Sequence, residues 1–226
     1  MRRLALACLC LVLTCFAGRV ETASAALTKC SSQQTAKVKV ILTTNPLRAD
    51  NSKSEKELQK FHIDTINPYG PKADTEVGGL MSGGLQLKSD VELAWETDRI
   101  NACFWYKTVN VTMNIDPMIY IASRHKPGTC MYDAVMQHEL KHVRADRDVA
   151  MYWRPKLQQY LQTQVDRVGV LGPYPMAQQV AARAKMTDFI RNAMEQAGKP
   201  VNEDRQQRQQ AIDSREEYER VNHLCR

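Results

Sequence analysis

The chain reads as an α+β protein in which a small N-terminal antiparallel or mixed sheet precedes a helical C-terminal half, and three observations carry that expectation. Apolar and polar residues alternate over 36–43 and again over 109–116. Glycine and proline crowd residues 65–90, as hairpin turns or a mobile loop require. After Lys126-Pro127-Gly128 the character changes, and Met131 to Arg154 is a helix-permissive run without Gly or Pro.

Each element follows from its residues. Arg2 and Arg3, the apolar run Leu4 to Ala17 and the small residues Ala23-Ser24-Ala25 have the layout of a secretory signal peptide over residues 1–25. That run falls well short of the roughly 20 residues that span a bilayer, so no integral membrane association is expected after cleavage. Residues 26–226 are then expected to form one domain. Ala36 to Thr43 reads as a half-buried strand that stops at Asn45-Pro46, and 51–60 as a short charged helix. Strand character resumes at 91–96, 102–109 and 111–121. Here Val109, Val111, Met113 and Ile115 share one face, while Asn110, Thr112, Asn114 and Asp116 share the other. Pro117 has no N–H for a ladder, so this strand should end there or lie at a sheet edge. Pro155 should kink or end the first long helix. Further helices are expected at 156–167, 176–197 and 201–223, separated by Gly169 to Pro173 and by Gly198-Lys199-Pro200. Asp213, three residues before Glu216, has the spacing of a capping box that would start a last short helix carrying Tyr218 and Val221.

Composition narrows the function. With 43% hydrophobic and 25% charged residues the chain is an ordinary globular one. Its net charge of +6 falls to +4 once Arg2, Arg3, Arg19 and Glu21 leave with the signal. Lys and Arg are spread evenly, without the basic stripe that nucleic-acid binding needs. Four cysteines remain in the mature chain: Cys30, Cys103, Cys130 and Cys225. An even number in an exported protein implies two disulfides, with three pairings open. None are in C-x-x-C spacing, which removes a cysteine zinc site or a thioredoxin-like motif. Neither a Ser-His-Asp arrangement nor a glycine-rich phosphate loop is legible.

One motif carries chemistry: His138-Glu139-Leu140-Lys141-His142. Histidines at i and i+4 of a helix point the same way, about 6 Å apart along the axis, so their ring nitrogens can converge on one zinc ion. Glu139 then lies beside the metal without ligating it, placed to take a proton from water and pass it to a leaving amine. A catalytic zinc normally takes three protein ligands. Asp146 is the nearest third candidate, but on a straight helix it lies about 12 Å from His138 along the axis. Its expected role is therefore to accept a hydrogen bond from the other nitrogen of His142. Asp148 is placed as a ligand only if the helix breaks, and Ala145 stands where a helix-breaking glycine would be needed. The third ligand is thus expected from the later helices, where Asp166, Glu195, Glu203, Glu216 and Glu217 all qualify by chemistry.

The stretch His138-Glu139-Leu140-x-His142-x-x-x-Asp146 is similar to the active helix of thermolysin-like zinc peptidases of the gluzincin group. More of the chain, roughly 75–225, resembles the bacterial family of predicted secreted zinc-dependent proteases. The shared order is a strand segment with Cys103, a strand ending at Asp116-Pro117, the H-E-x-x-H helix and the stretch Asp213-x-x-Glu216-x-Tyr218. The chain departs from that family at Lys141, where glycine is usual, and at Tyr218-Glu219, where His-Gly is usual. The resemblance implies a zincin-like fold, one zinc ion and peptide hydrolysis, with a glutamate from a later helix as third ligand in the gluzincin pattern.

Two functional readings stand at this stage. The first is an exported, secreted or periplasmic zinc metallopeptidase acting on a protein or peptide laid along a sheet edge near Val109 to Ile115, with Tyr218, Tyr174 or Arg215 as candidates to stabilise an oxyanion. The second is a non-catalytic, disulfide-bonded envelope protein with a degenerate or structural metal site. A zinc hydrolase acting on a non-peptide envelope component would share the first reading's site. His62, His125 and His223 stand alone, and Trp95, Trp105 and Trp153 read as packing residues.

Overall fold

The computed structural model describes residues 27–31, 35–62, 65–70, 73 and 76–225. The signal-peptide stretch therefore lies outside the described residues. The architecture is α+β, with a mixed sheet in the N-terminal half and three helices after it. Strand β1 (Lys37–Thr44) is followed by β2 (Arg48–Asp50), the single turn α1 (Glu55–Leu58), β3 (Gly79–Ser82), β4 (Leu85–Thr97), β5 (Asn101–Ile115) and β6 (Met118–Ile121). The helical half holds α2 (Cys130–Val168), the short strand β7 (Leu171–Pro175), α3 (Gln179–Ile212) and α4 (Arg215–His223).

The strands form two sheets, one in the order β1-β5-β4 with β7 also pairing β5, the other in the order β2-β6-β3, and the chain passes between them at a bend, from β1 to β2, from β3 to β4 and from β5 to β6. β1 and β2 run parallel to their central partners, while β4 and β3 run antiparallel. The bend falls at Asp116-Pro117, as the missing proline donor requires. Across it, Asp116 accepts hydrogen bonds from Asn45 Nδ2 at 3.0 Å and Arg48 Nη2 at 2.9 Å. Gly83 turns the antiparallel strand at the same point with φ of +101°, and a Cβ there would sit 1.9 Å from the Asp116 carbonyl oxygen. Val109, Val111, Met113 and Ile115 share the buried face of β5, in step with the alternation of the sequence.

β5 is nevertheless no edge. It is flanked by β1 and β4 over Val109 to Ile115, so a substrate strand has no free ladder there. The outer edge of β1 is also closed: Val38 and Val40 N–H groups donate to Gln162 and Gln158 of α2, at 3.2 and 3.1 Å. Among the described residues β3 pairs only with β6, so its other edge carries no partner strand.

Neither proline breaks its helix. α2 runs 39 residues through Pro155, and α3 runs 34 residues through Gly198 and Pro200. Pro155 is on the exposed face, as is Met151, whose carbonyl loses a donor; water can satisfy it. Beyond the proline, Leu157, Leu161 and Val165 are fully buried under the sheet, and each such burial contributes about 1.5–3 kcal/mol, enough together to outweigh the lost bond. In α3 the face carrying Ile190, Ala193 and Met194 before the Gly-Lys-Pro segment carries Val201 and Gln209 after it. The segment 169–173, expected as a plain separator, instead supplies most of β7, which pairs with the start of β5.

Two disulfides staple the structure, Cys30–Cys103 and Cys130–Cys225. The first fixes the N-terminal segment to β5, and the second ties the start of α2 to the residues after α4. No helix among the described residues is long and apolar enough to cross a membrane. Both facts are compatible with an exported protein.

Asp204 clamps the two long helices together. Its carboxylate accepts from Trp153 Nε1 of α2 at 2.8 Å and from Arg208 Nε at 2.8 Å. The Arg208 bond chiefly, with Trp153 adding to it against the cost of burial, holds its pKa below the ordinary 3.8. A depressed carboxylate stabilises the fold above its unfolded value and loses that contribution as pH falls below it. Asp204→Asn should therefore lower the unfolding free energy by about 1 kcal/mol at pH 7. In denaturant titrations the gap to wild type should close as pH is taken below about 3.8.

Candidate metal centre

α2 starts at Cys130 with Thr129 as its N-cap, whose hydroxyl accepts from the Tyr132 N–H. From there the helix presents His138, Glu139, His142 and Asp146 to the interior, all of them buried. Its first half packs Val135 and Val143 against Ile119 and Ile121 of β6 and Val221 of α4. That packing aims the histidines at the junction of α3 and α4.

Asp213 occupies that junction. His138 Nε2 and His142 Nε2 are 3.3 Å apart, and each is 3.2 Å from Asp213 Oδ1. These three side chains form a buried group able to hold a metal ion. The fit can be tested by geometry. Ligand atoms about 2.0–2.1 Å from a tetrahedral ion lie about 3.3–3.4 Å from one another, close to the spacing here. Chemistry adds a second argument. His138 Nδ1 faces the Glu217 carboxylate at 3.3 Å and His142 Nδ1 faces Gln209 Oε1, so both rings have an acceptor at their rear nitrogen. With the ring protons drawn there, two nitrogen lone pairs and a carboxylate oxygen point at one spot, and only a cation or an added proton reconciles them.

The supporting contacts are specific. Thr65 Oγ donates to Asp213 Oδ2 at 2.6 Å, which leaves Oδ1 turned toward the histidines, and the Tyr218 hydroxyl lies 3.3 Å from Oδ1. Glu217 also accepts from Lys141 Nζ at 2.6 Å and Arg220 Nη2 at 2.7 Å. Burial works against ionising Asp213, but hydrogen bonds from both histidines outweigh it and hold the carboxyl well below its usual range. For the histidines burial is again the largest opposing influence, and the Asp213 and Glu139 carboxylates overcome it, raising both pKa values.

Glu139 is reached from the other side. Its carboxyl is 4% exposed, and burial pushes its pKa upward against the pull of His142 and His138. The backbone N–H of Met81, on the open edge of β3, bonds to it. That approach depends on Gly79: a Cβ there would lie 2.3 Å from Val135 Cγ1 and 2.8 Å from Glu139 Oε1. The group opens on a cleft of about 920 Å³ bounded by β3, α2, the 65–69 segment and α4, with Tyr69, His125 and Tyr218 among its walls.

Several expectations need correction. Asp213 was expected to cap α4, but Ser214 does so by accepting from the Glu217 N–H at 3.2 Å, and Asp213 is left free for the histidines. The acid at the centre is therefore an aspartate from a turn, not a glutamate from a helix. Glu217 touches the rear of His138, and Asp166, Glu195, Glu203 and Glu216 are outside the group. Asp146 does not contact the His142 ring, because Gln209 stands between them. Asp148 is on the exposed side of α2. Of the oxyanion candidates Tyr218 lines the cleft, Arg215 sits over the Tyr69 ring at 5.2 Å, and Tyr174 belongs to β7. His125 reaches the cleft wall, while His223 bonds to the Glu219 carbonyl oxygen. Trp95 is 54% exposed, stacked on Arg183 instead of packed in the core. A second cluster, Cys30, Glu96 and Cys103, has both sulfurs in a disulfide and so offers no thiolate.

The sequence carries a signal for Asp213 in the residues that follow it. Ser214-x-x-Glu217 is a better capping box than Asp213-x-x-Glu216, and choosing it leaves Asp213 without a structural duty just before a helix start.

No protein-family model matches this chain, and no curated protein or solved structure matches it.

Gly79→Ala should cost about 2–4 kcal/mol of stability through overpacking. Pairing it with Val135→Ala removes the closest conflict and should recover part of that loss. Thermal unfolding of the two single variants and the double variant checks this; additive losses would show that Gly79 does not matter for the approach of Val135.

Proposed function

We propose that the protein is an exported zinc-dependent peptidase of zincin-like architecture, in which His138, His142 and Asp213 hold the ion and Glu139 is the general base. The observation that carries this reading is the convergence of two Nε2 atoms and one carboxylate oxygen at mutual distances of 3.2–3.3 Å, on a helix that also carries Glu139. When bound there, zinc supplies a Lewis acid that polarises a carbonyl and makes water acidic near neutral pH.

The chain's own residues supply the rest. Glu139, kept basic by burial, takes a proton from the attacking water and delivers it to the departing amine. Hydrolysis then balances: water oxygen bonds to the carbonyl carbon, the C–N bond breaks, and the two protons end on the amine and the new carboxyl group. An extended peptide can lie along the open edge of β3, whose Gly79 and Met81 backbone groups border the same cleft, in place of the interior strand first expected. The Tyr218 hydroxyl, which lines the cleft beside His138 and donates to Asp213 Oδ1 at 3.3 Å, would turn to a developing oxyanion. Two disulfides and an alanine-terminated leader motif support export.

The purified mature protein should carry about one zinc per chain by elemental analysis, and His142→Ala or Asp213→Ala should reduce this to a small fraction. Glu139→Gln should keep the metal and lose at least about 10²-fold in peptide hydrolysis, read on a fluorescent peptide library or denatured protein substrate. Zinc without hydrolysis in the wild type, on peptides and proteins alike, would favour a structural metal in a non-catalytic envelope protein. Absence of zinc would remove the metal reading altogether.

A further inference from the structure

The contact behind His142 differs in kind from the one behind His138. His138 is backed by a carboxylate, Glu217, whereas His142 is backed by an amide, Gln209. Gln209 is 3% exposed and lies one turn before Asp213 on α3. Its Nε2 donates at 2.7 Å to Asp146 Oδ1 and at 3.1 Å to the carbonyl oxygen of His142 itself. Asp146, completely buried, is anchored in turn by Arg205 Nε at 2.7 Å.

These bonds decide which end of the amide meets the ring. Both Nε2 hydrogens are taken by acceptors, the Asp146 oxygen that also takes the Arg205 Nε bond and a backbone carbonyl. Flipping the amide would set its oxygen against both of them and its NH2 against the ring. Oε1 must therefore face His142 Nδ1, and an oxygen without a proton can only accept there. Whenever the ring is neutral it is thus held as the Nδ1–H tautomer, with the Nε2 lone pair directed at His138 and Asp213. Arg205 and Gln209 are four residues apart on one face of α3, so the helix presents the anchor and the amide to α2 together.

We infer that Gln209 is a positioning residue: locked by Asp146 and Arg205, it fixes the tautomer and rotation of His142 and thereby sets how tightly the centre binds a divalent ion. The tautomer half of this inference stands on hydrogen bonding alone. The affinity half rests on the metal centre proposed above. An outer partner of this kind is worth about 10–100-fold in metal affinity when removed.

The test uses the metal-free, full mature protein and two variants. Gln209→Met keeps the side chain's length and removes the acceptor; Asp146→Asn leaves Gln209 in place but lets its amide turn over, because the new amide can donate as well as accept. Ring ¹⁵N shifts of His142, recorded at alkaline pH where the imidazole is neutral, report the tautomer, and competition with a chromophoric chelator gives the zinc Kd. In the wild type His142 should be Nδ1–H. Gln209→Met should lose that preference and weaken zinc binding about 10–100-fold, and Asp146→Asn should loosen the tautomer as well. The inference is overturned if both variants leave the tautomer unchanged, or if Gln209→Met weakens zinc binding with the ring still Nδ1–H, which would make the residue a packing element only. If the wild type binds no zinc, the proposed function fails, and the ring spectra still decide the positioning role: a tautomer fixed in wild type and lost in Gln209→Met upholds it, and a tautomer indifferent to the substitution refutes it.

Discussion

Three electron-pair donors directed at one point inside the protein are the constraint on which the rest of the site depends. Two imidazole nitrogens and a carboxylate oxygen, each about 3.2–3.3 Å from the others, are compatible only when a cation or a proton lies between them. Such an arrangement is costly to build and to bury. The fold keeps it by bonding every other polar atom of the three side chains: Glu217 and Gln209 hold the ring nitrogens, and Thr65 holds the second oxygen of Asp213.

The long helix α2 makes this arrangement rigid. Its first half belongs to the bent end of the sheet and its second half to the main sheet, so one rod spans both packing clusters and cannot shift in one without disturbing the other. The Cys130–Cys225 disulfide joins the start of that rod to the residues following α4. Asp213 is thus held between two fixed points, α3 packed along α2 and α4 stapled to its beginning. On the opposite side β3 brings an open edge and a glycine to Glu139, which lets the strand approach more closely than any side chain would allow.

Much of this was legible because it is local. Alternation gave the buried face of β5, and the spacing of His138 and His142 gave their common direction, since both depend only on the period of the element. The exclusions failed where long-range packing overrode local signals. Pro155 and Pro200 are poor residues for a helix interior, yet buried leucine and valine beyond them keep the helices whole. Pro117 was correctly read as the end of β5, but an end is not an edge, and no local pattern says which strands will flank another. The third donor was missed for a related reason: Asp213 lies 71 residues from His142, and only the return of α3 along α2 brings them together. Asp146 was placed correctly on the inward face, but a glutamine from that same distant helix took the position behind the histidine.

If both histidines and Asp213 hold one divalent ion together, anomalous diffraction at the zinc edge from crystals of the mature protein grown with equimolar zinc should show a single strong peak within about 2.0–2.2 Å of His138 Nε2, His142 Nε2 and an Asp213 carboxylate oxygen. Density bound to only one of these side chains, or located elsewhere on the protein with the three donors unchanged, would contradict it.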